Sequence, residues 1–117
     1  MDKNTFVARI STVNIPYTEN EFKDTKATPN PDPPYICYLW HEEDKGPDFH
    51  PKMLVDVEGV LELYVHFDSS IESRDTSLEE KVEKTVLYDM PCVKEVATIS
   101  VENLVQISYE FNFREKR

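Results

Sequence analysis

Few side chains in this sequence can do chemistry: three histidines, two cysteines and several clusters of carboxylates. His41 and His66 lie on stretches that read as strands. They would face one another if those strands pair, with Glu42, Glu43 or Asp44 close by. Metal sites need tighter spacing, and no H-x-x-H, H-E-x-x-H or calcium-loop pattern occurs. No metal is therefore expected. Cys37 and His41 stand four apart on a strand, a span too long for a direct thiolate–imidazole hydrogen bond. Cys37 and Cys92 have no C-x-x-C spacing and read as reduced, buried thiols of an intracellular protein. A disulfide between them would require their strands to be neighbours. Two glycines cannot build a phosphate-cradling loop, and no G-x-S-x-G motif is present. Glu72, Asp75, Glu79, Glu80 and Glu83 alternate with Lys81 and Lys84, which is the pattern of a solvated helix face. This inventory points away from an enzyme and from any cofactor.

The elements that hold these residues are easier to read. In Val60–Phe67, Leu61, Leu63, Val65 and Phe67 share one face, while Val60, Glu62, Tyr64 and His66 share the other. Val55 and Val57 continue the first set, so Met53–Phe67 reads as one long strand, bent or bulged near Gly59. After a polar run comes a helix whose stripe is Leu78, Val82 and Val86, with Ser77 and Glu80 spaced as a capping box. Near the N-terminus, Phe6, Ile10 and Val13 mark a short helix, capped by Asp2 or Asn4 and stopped by Pro16. A Pro-rich connector of extended, polyproline-like chain follows, up to Pro34. Tyr35–His41 is a strand with apolar residues on both faces. Glu42–Pro51 is a loop long enough to project, and it carries Phe49 and His50. A loop without a helix makes the next strand antiparallel. Cys92–Val101 is a third strand. Leu104–Phe113 is a fourth, with Val105, Ile107, Tyr109, Phe111 and Phe113 inward. Arg114–Arg117 reads as a basic, solvated tail.

The expected product is a single α+β domain over 1–117. Residues 1–34 supply the short helix and connector, 35–113 a strand–strand–helix–strand–strand core, and 114–117 the tail. The core should be a four-stranded antiparallel sheet with two helices on one face. Its outward face, carrying Tyr38 or Leu39 with Tyr64, Gln106 and Ser108, would lie bare and invite a partner. At 117 residues the chain is long enough to bury a core without staples. The net charge of -10 argues against wholesale nucleic-acid binding, since phosphate contacts need Lys and Arg. Met1-Asp2-Lys3-Asn4 leads into no long apolar core, so no secretory leader is expected. No stretch approaches the ~20 apolar residues of a membrane span.

Four stretches, in order, carry a resemblance. They are Pro33-Pro34-Tyr35-Ile36-Cys37-Tyr38, Leu61-Glu62-Leu63-Tyr64, Ser77-Leu78-Glu79-Glu80-Lys81-Val82-Glu83, and Val101–Phe111 with its Tyr-Glu-Phe ending. Over Tyr35–Phe113 the chain resembles the tail completion (tail-terminator, head-to-tail joining) proteins of long-tailed bacteriophages. The resemblance implies an α+β subunit that assembles as a ring, commonly a hexamer, in the host cytoplasm and ends in the virion. Such a ring caps the tail tube and meets the head connector, and DNA passes through it without being specifically bound. The family has no catalytic motif to carry over. Its members often begin with a longer helix than the one read here. On this reading Phe49, His50, Tyr38, Tyr64, Glu79 and Glu83 are candidate assembly contacts, with no membrane involved. The acidity motivates an alternative from another class, a small DNA-mimic inhibitor of a host nucleic-acid-binding protein. The interspersed Lys81, Lys84 and Lys94 argue against that alternative.

Overall fold

The computed structural model describes residues 1–23, 30–44, 54–99 and 103–117. Helix α1 (Lys3–Ser11) begins where Asp2 accepts a hydrogen bond from the Thr5 N–H at 2.9 Å. It ends well before Pro16, in a turn where Asn14 adopts φ 67°, a left-handed conformation that Asn tolerates. Strand β1 (Tyr17–Glu19) follows at once. After it come β2 (Tyr35–Asp44), β3 (Leu54–His66), a single 3₁₀ turn (Ile71–Ser73), α2 (Ser77–Thr85), β4 (Cys92–Ile99) and β5 (Leu104–Lys116).

The sheet is five-stranded and mixed, in the order β1-β2-β3-β5-β4. The expected four antiparallel strands are all present. The correction is β1, which pairs parallel to the outer side of β2 through Tyr17–Ile36 and Glu19–Tyr38. Three residues behind a proline give no alternation to detect, and this strand exists because β2 offers it an edge. The ladders at Gly59 are uninterrupted, with Gly59 opposite both Trp40 and Phe111, so β3 carries no bulge there. A Cβ at this position would run into the Leu39 carbonyl oxygen and the Phe111 ring, and glycine is there for close approach. The expected tail is also corrected, because Arg114–Lys116 continue β5 against Leu54–Asp56.

Both helices lie on one face. Even-numbered residues of β2 and odd-numbered residues of β3 and β5 point at them, giving a core of Phe6, Ile10, Ile36, Trp40, Val57, Leu61, Leu63, Val82, Val86, Val105, Ile107 and Tyr109. The Phe6 ring meets Trp40 at 4.9 Å, Phe111 at 5.3 Å and Tyr38 at 5.9 Å between centroids, which ties α1 to β2 and β5. Helix α2 lacks the Ser77–Glu80 box; instead the Asp75 carboxylate accepts the Ser77 N–H at 2.9 Å, and its pKa is lowered by that bond. Of the Pro-rich connector, 24–29 lie outside the described residues, and Pro33–Pro34 is joined by a cis bond ahead of β2.

Candidate assembly surface

Registers order the opposite face of the sheet into rows. Leu39, Val60, Glu110 and Val93 stand side by side across four strands. His41, Glu58 and Asn112 form the row above. Cys37, Glu62, Ser108 and Glu95 form the row below, followed by Tyr35, Tyr64, Gln106 and Ala97. The first two rows line a shallow trough of about 860 Å³, with Leu39 and Val60 on its floor and Val93 on its far wall. Leu39 is 43% and Val93 70% exposed, large apolar side chains left in water on a sheet whose other face is sealed.

The lower rows are more closed. Tyr35 stacks on Tyr64 at 4.8 Å, and Phe22 meets Tyr35 edge-on at 5.4 Å, so the segment after β1 shelters this corner. The Tyr64 hydroxyl donates to Glu62 Oε2 at 2.6 Å and accepts from Gln106 Nε2 at 2.8 Å, and Gln106 also donates to Glu62. Burial and the adjoining Glu62 charge raise the Tyr64 pKa well above the ordinary phenol range. Burial likewise pushes the Cys37 thiol up to about 11, with Glu62 adding to the rise. Such a thiol is no nucleophile near neutrality.

Charge is unevenly shared. By register this face carries Glu43, Asp56, Glu58, Glu62, Glu95 and Glu110 against Arg114 and Lys116. Arg114 is held by Asp56 in a two-pronged pair at 2.6 and 3.2 Å. Glu58, Glu95 and Glu110 make no ion pair among the described residues.

The expected contact residues separate sharply. Tyr64 lies on the open face, half-buried in the network above. Tyr38 does not: it points at the helices, 7% exposed against Phe6, and Leu39 takes the outward place. Glu79 is also withdrawn from the surface, 1% exposed, gripped by Arg74 at 3.1 and 3.2 Å and by Lys94 at 3.4 Å. This overturns the solvated reading of the α2 carboxylates at that position. Glu83 is exposed on the helix side, accepting from Tyr109 Oη at 3.1 Å and pairing with Lys94 at 3.3 Å. Phe49 and His50 lie outside the described residues.

The imagined histidine pair does not form. His41 stands opposite Glu58 and His66 opposite Leu104, eight positions apart along β3, about 26 Å. Cys37 and Cys92 are both free, on opposite faces of the sheet and on strands separated by β3 and β5. Among the described residues no group of three His, Cys, Asp or Glu could hold a metal ion, and no helix is long and apolar enough to cross a membrane.

The terminal strand end is clasped by charge. Arg117 reaches Glu42 at 2.8 Å and Glu115 at 2.8 Å, while the Met1 amine meets Glu115 at 2.6 Å. Hydrogen bonds from Arg117 and from Trp40 Nε1 hold the Glu42 pKa below its ordinary value.

Fold and surface together define an α+β domain whose two helices seal one sheet face and leave the other open, apolar at its centre and acidic around it. No family model and no curated protein sequence matches the chain.

Proposed function

We propose that this chain is a structural subunit that works by assembly, and that the assembly is a ring closing the end of a phage tail and joining it to the head. The carrying observation is the open sheet face, where Leu39, Val60 and Val93 surround a trough while the helices pack on the other face. Apolar surface kept in water on an otherwise sealed domain is surface reserved for a neighbour. The ordered resemblance over Tyr35–Phe113 supports the tail and the ring. The uncompensated acids suit a passage that a polyanion crosses without sticking. Light scattering on the chain alone and with purified tail tubes, followed by electron microscopy of tube ends, tests the proposal. Ring density at one end of the tube supports it. A chain that neither closes into rings nor binds tubes or connectors at high concentration overturns it.

One observation favours the second reading, a DNA-mimic inhibitor. The lysines that argued against it all sit on the helix side: Lys81 donates to the Val13 carbonyl, and Lys94 is folded onto Glu79 and Glu83. The open face carries six carboxylates against Arg114 and Lys116, set around its apolar centre. Competition with duplex DNA for a basic DNA-binding protein separates the two readings, because a mimic displaces DNA stoichiometrically and a ring subunit does not.

A further inference from the structure

Edge strands are normally guarded, by lysine, by proline or by a covering segment. Strand β4 forms one edge of the sheet, with β5 on its inner side and, among the described residues, no strand on its outer side. It contains no proline, and its single lysine does not guard it. Lys94 turns back over the Tyr109 ring, 5.7 Å from its centroid, and reaches Glu83 at 3.3 Å and Glu79 at 3.4 Å. Val93 (70% exposed) and Ile99 (38% exposed) are left standing on the open face at the two ends of the strand.

We propose that β4 pairs antiparallel with β4 of a second copy, centred on Val96, joining two sheets into one. Charge excludes the earlier registers and length disfavours the later one, since centring on Ala97 pairs only residues 95–99 of the strand. Residues directly opposite in an antiparallel pair share a face, so only registers that align residues of like parity keep both helix layers on one side. Centring on Val96 places Val93 against Ile99 twice, Lys94 against Thr98, and Glu95 against Ala97, with Val96 meeting itself. No like charges oppose one another. Centring one residue earlier sets Glu95 against Glu95, and two earlier sets Lys94 against Lys94, each a repulsive cross-strand pair. The contact is isologous: one patch meets the same patch across a two-fold axis normal to the sheet. Both acidic open faces then lie on the same side, as one continuous surface of doubled length.

This pairing goes beyond the tail reading and concerns the free chain in solution. The test is sedimentation equilibrium of the full chain and two double variants, each checked for native circular dichroism. Wild type should approach twice the 13.7 kDa chain mass as concentration rises. V93K/I99K sets lysine against lysine at both ends of the pairing and should be monomeric. V93K/I99E sets lysine against glutamate at both ends and should restore the dimer. Within one chain those positions lie six residues apart, so the rescue reports the intermolecular register. Val96→Cys, introduced with Cys92→Ser, should cross-link two chains under mild oxidation, whereas Thr98→Cys in the same background should not. A wild type that stays monomeric, or a V93K/I99K variant that still dimerises, overturns the pairing. Either result leaves binding to tail tubes to be read separately, so failure of the edge contact and failure of the tail reading are distinguishable.

Discussion

Replacing Gly59 with alanine should destabilise the domain by about 3 kcal/mol. Gly59 has no positive φ, so its backbone is one that alanine adopts freely. In open space such a change would stabilise by about 0.4–1 kcal/mol, by restricting the unfolded chain. The surroundings reverse the sign. An alanine Cβ would collide with the Leu39 carbonyl oxygen and lie 2.8 and 2.9 Å from two Phe111 ring carbons. Neither obstacle yields readily. The carbonyl belongs to β2, paired with β3 over ten residues, and the ring is held by Phe6 at 5.3 Å and Trp40 at 5.5 Å. Overpacking typically costs about 1–3 kcal/mol, and a backbone obstacle places this site at the upper end. At about 4 °C per kcal/mol for a chain of this size, Tm should fall by about 12 °C. Urea and thermal unfolding, followed by Trp40 fluorescence and circular dichroism, measure it. Phe111→Leu relieves the ring overlap but not the carbonyl. Measured against F111L alone, G59A/F111L should therefore still lose at least about half of the 3 kcal/mol. A G59A protein that melts at or above wild type refutes the steric account.

Three further perturbations follow from the same contacts. Phe6→Ala empties the meeting point of α1 with β2 and β5; it should cost about 3–4 kcal/mol and red-shift the emission of Trp40, the only tryptophan, as water reaches it. Glu79→Gln keeps the shape but leaves Arg74 and Lys94 without a carboxylate; with both cations partly in solvent, the loss should be about 2 kcal/mol, read from urea midpoints, and a neutral result would mean they relax into water. The Cys37 thiol, raised from 9.0 to about 11, favours the folded state while protonated, so its contribution is present below pH 9 and is lost as pH rises through 11; Cys37→Ala should flatten part of that alkaline decline, and native Cys37 should resist a thiol reagent at pH 8 until the protein is unfolded.

The legible parts of this fold were those where period-two alternation met a helix stripe. Val55–Phe67 and Val105–Phe113 declared their inward faces by spacing alone, and Phe6 with Ile10 did the same for α1. What escaped depended on a partner rather than on local pattern. Strand β1 is three residues long and forms only because β2 has a free side. Arg114–Lys116 looked like a solvated tail because they are charged, yet β3 begins early enough to pair with them, and Asp56 and the Met1 amine neutralise Arg114 and Glu115. Tyr38 and Leu39 could not be told apart because both faces of β2 carry apolar residues. Glu79 is a different kind of miss. Positions 79, 82 and 86 share a helical face, but the stripe is read from apolar residues alone, and its charge puts Glu79 among the solvated carboxylates. Arg74, five residues earlier, is the partner that reconciles the two, and no spacing rule points to it.

The position of the charge narrows how such a subunit can associate. On the helix side and at the termini several acids have a cation in hand: Glu79 with Arg74 and Lys94, Glu83 with Lys94, Asp89 with Arg9, Glu42 with Arg117. On the open face, Glu58, Glu95 and Glu110 stand around the apolar centre with no ion pair among the described residues. Two such faces pressed together would set carboxylate against carboxylate in a partly desolvated contact, where repulsion is least screened. Copies of this chain can meet along their edges, where Val93 and Ile99 complement one another, but not face to face. Whatever covers the trough must bring apolar side chains for Leu39 and Val60 and positive charge for the acids around them. The trough of a second copy lacks that chemistry, so on the ring reading the trough is covered by a surface unlike itself, on a neighbouring copy or on a partner of the tail.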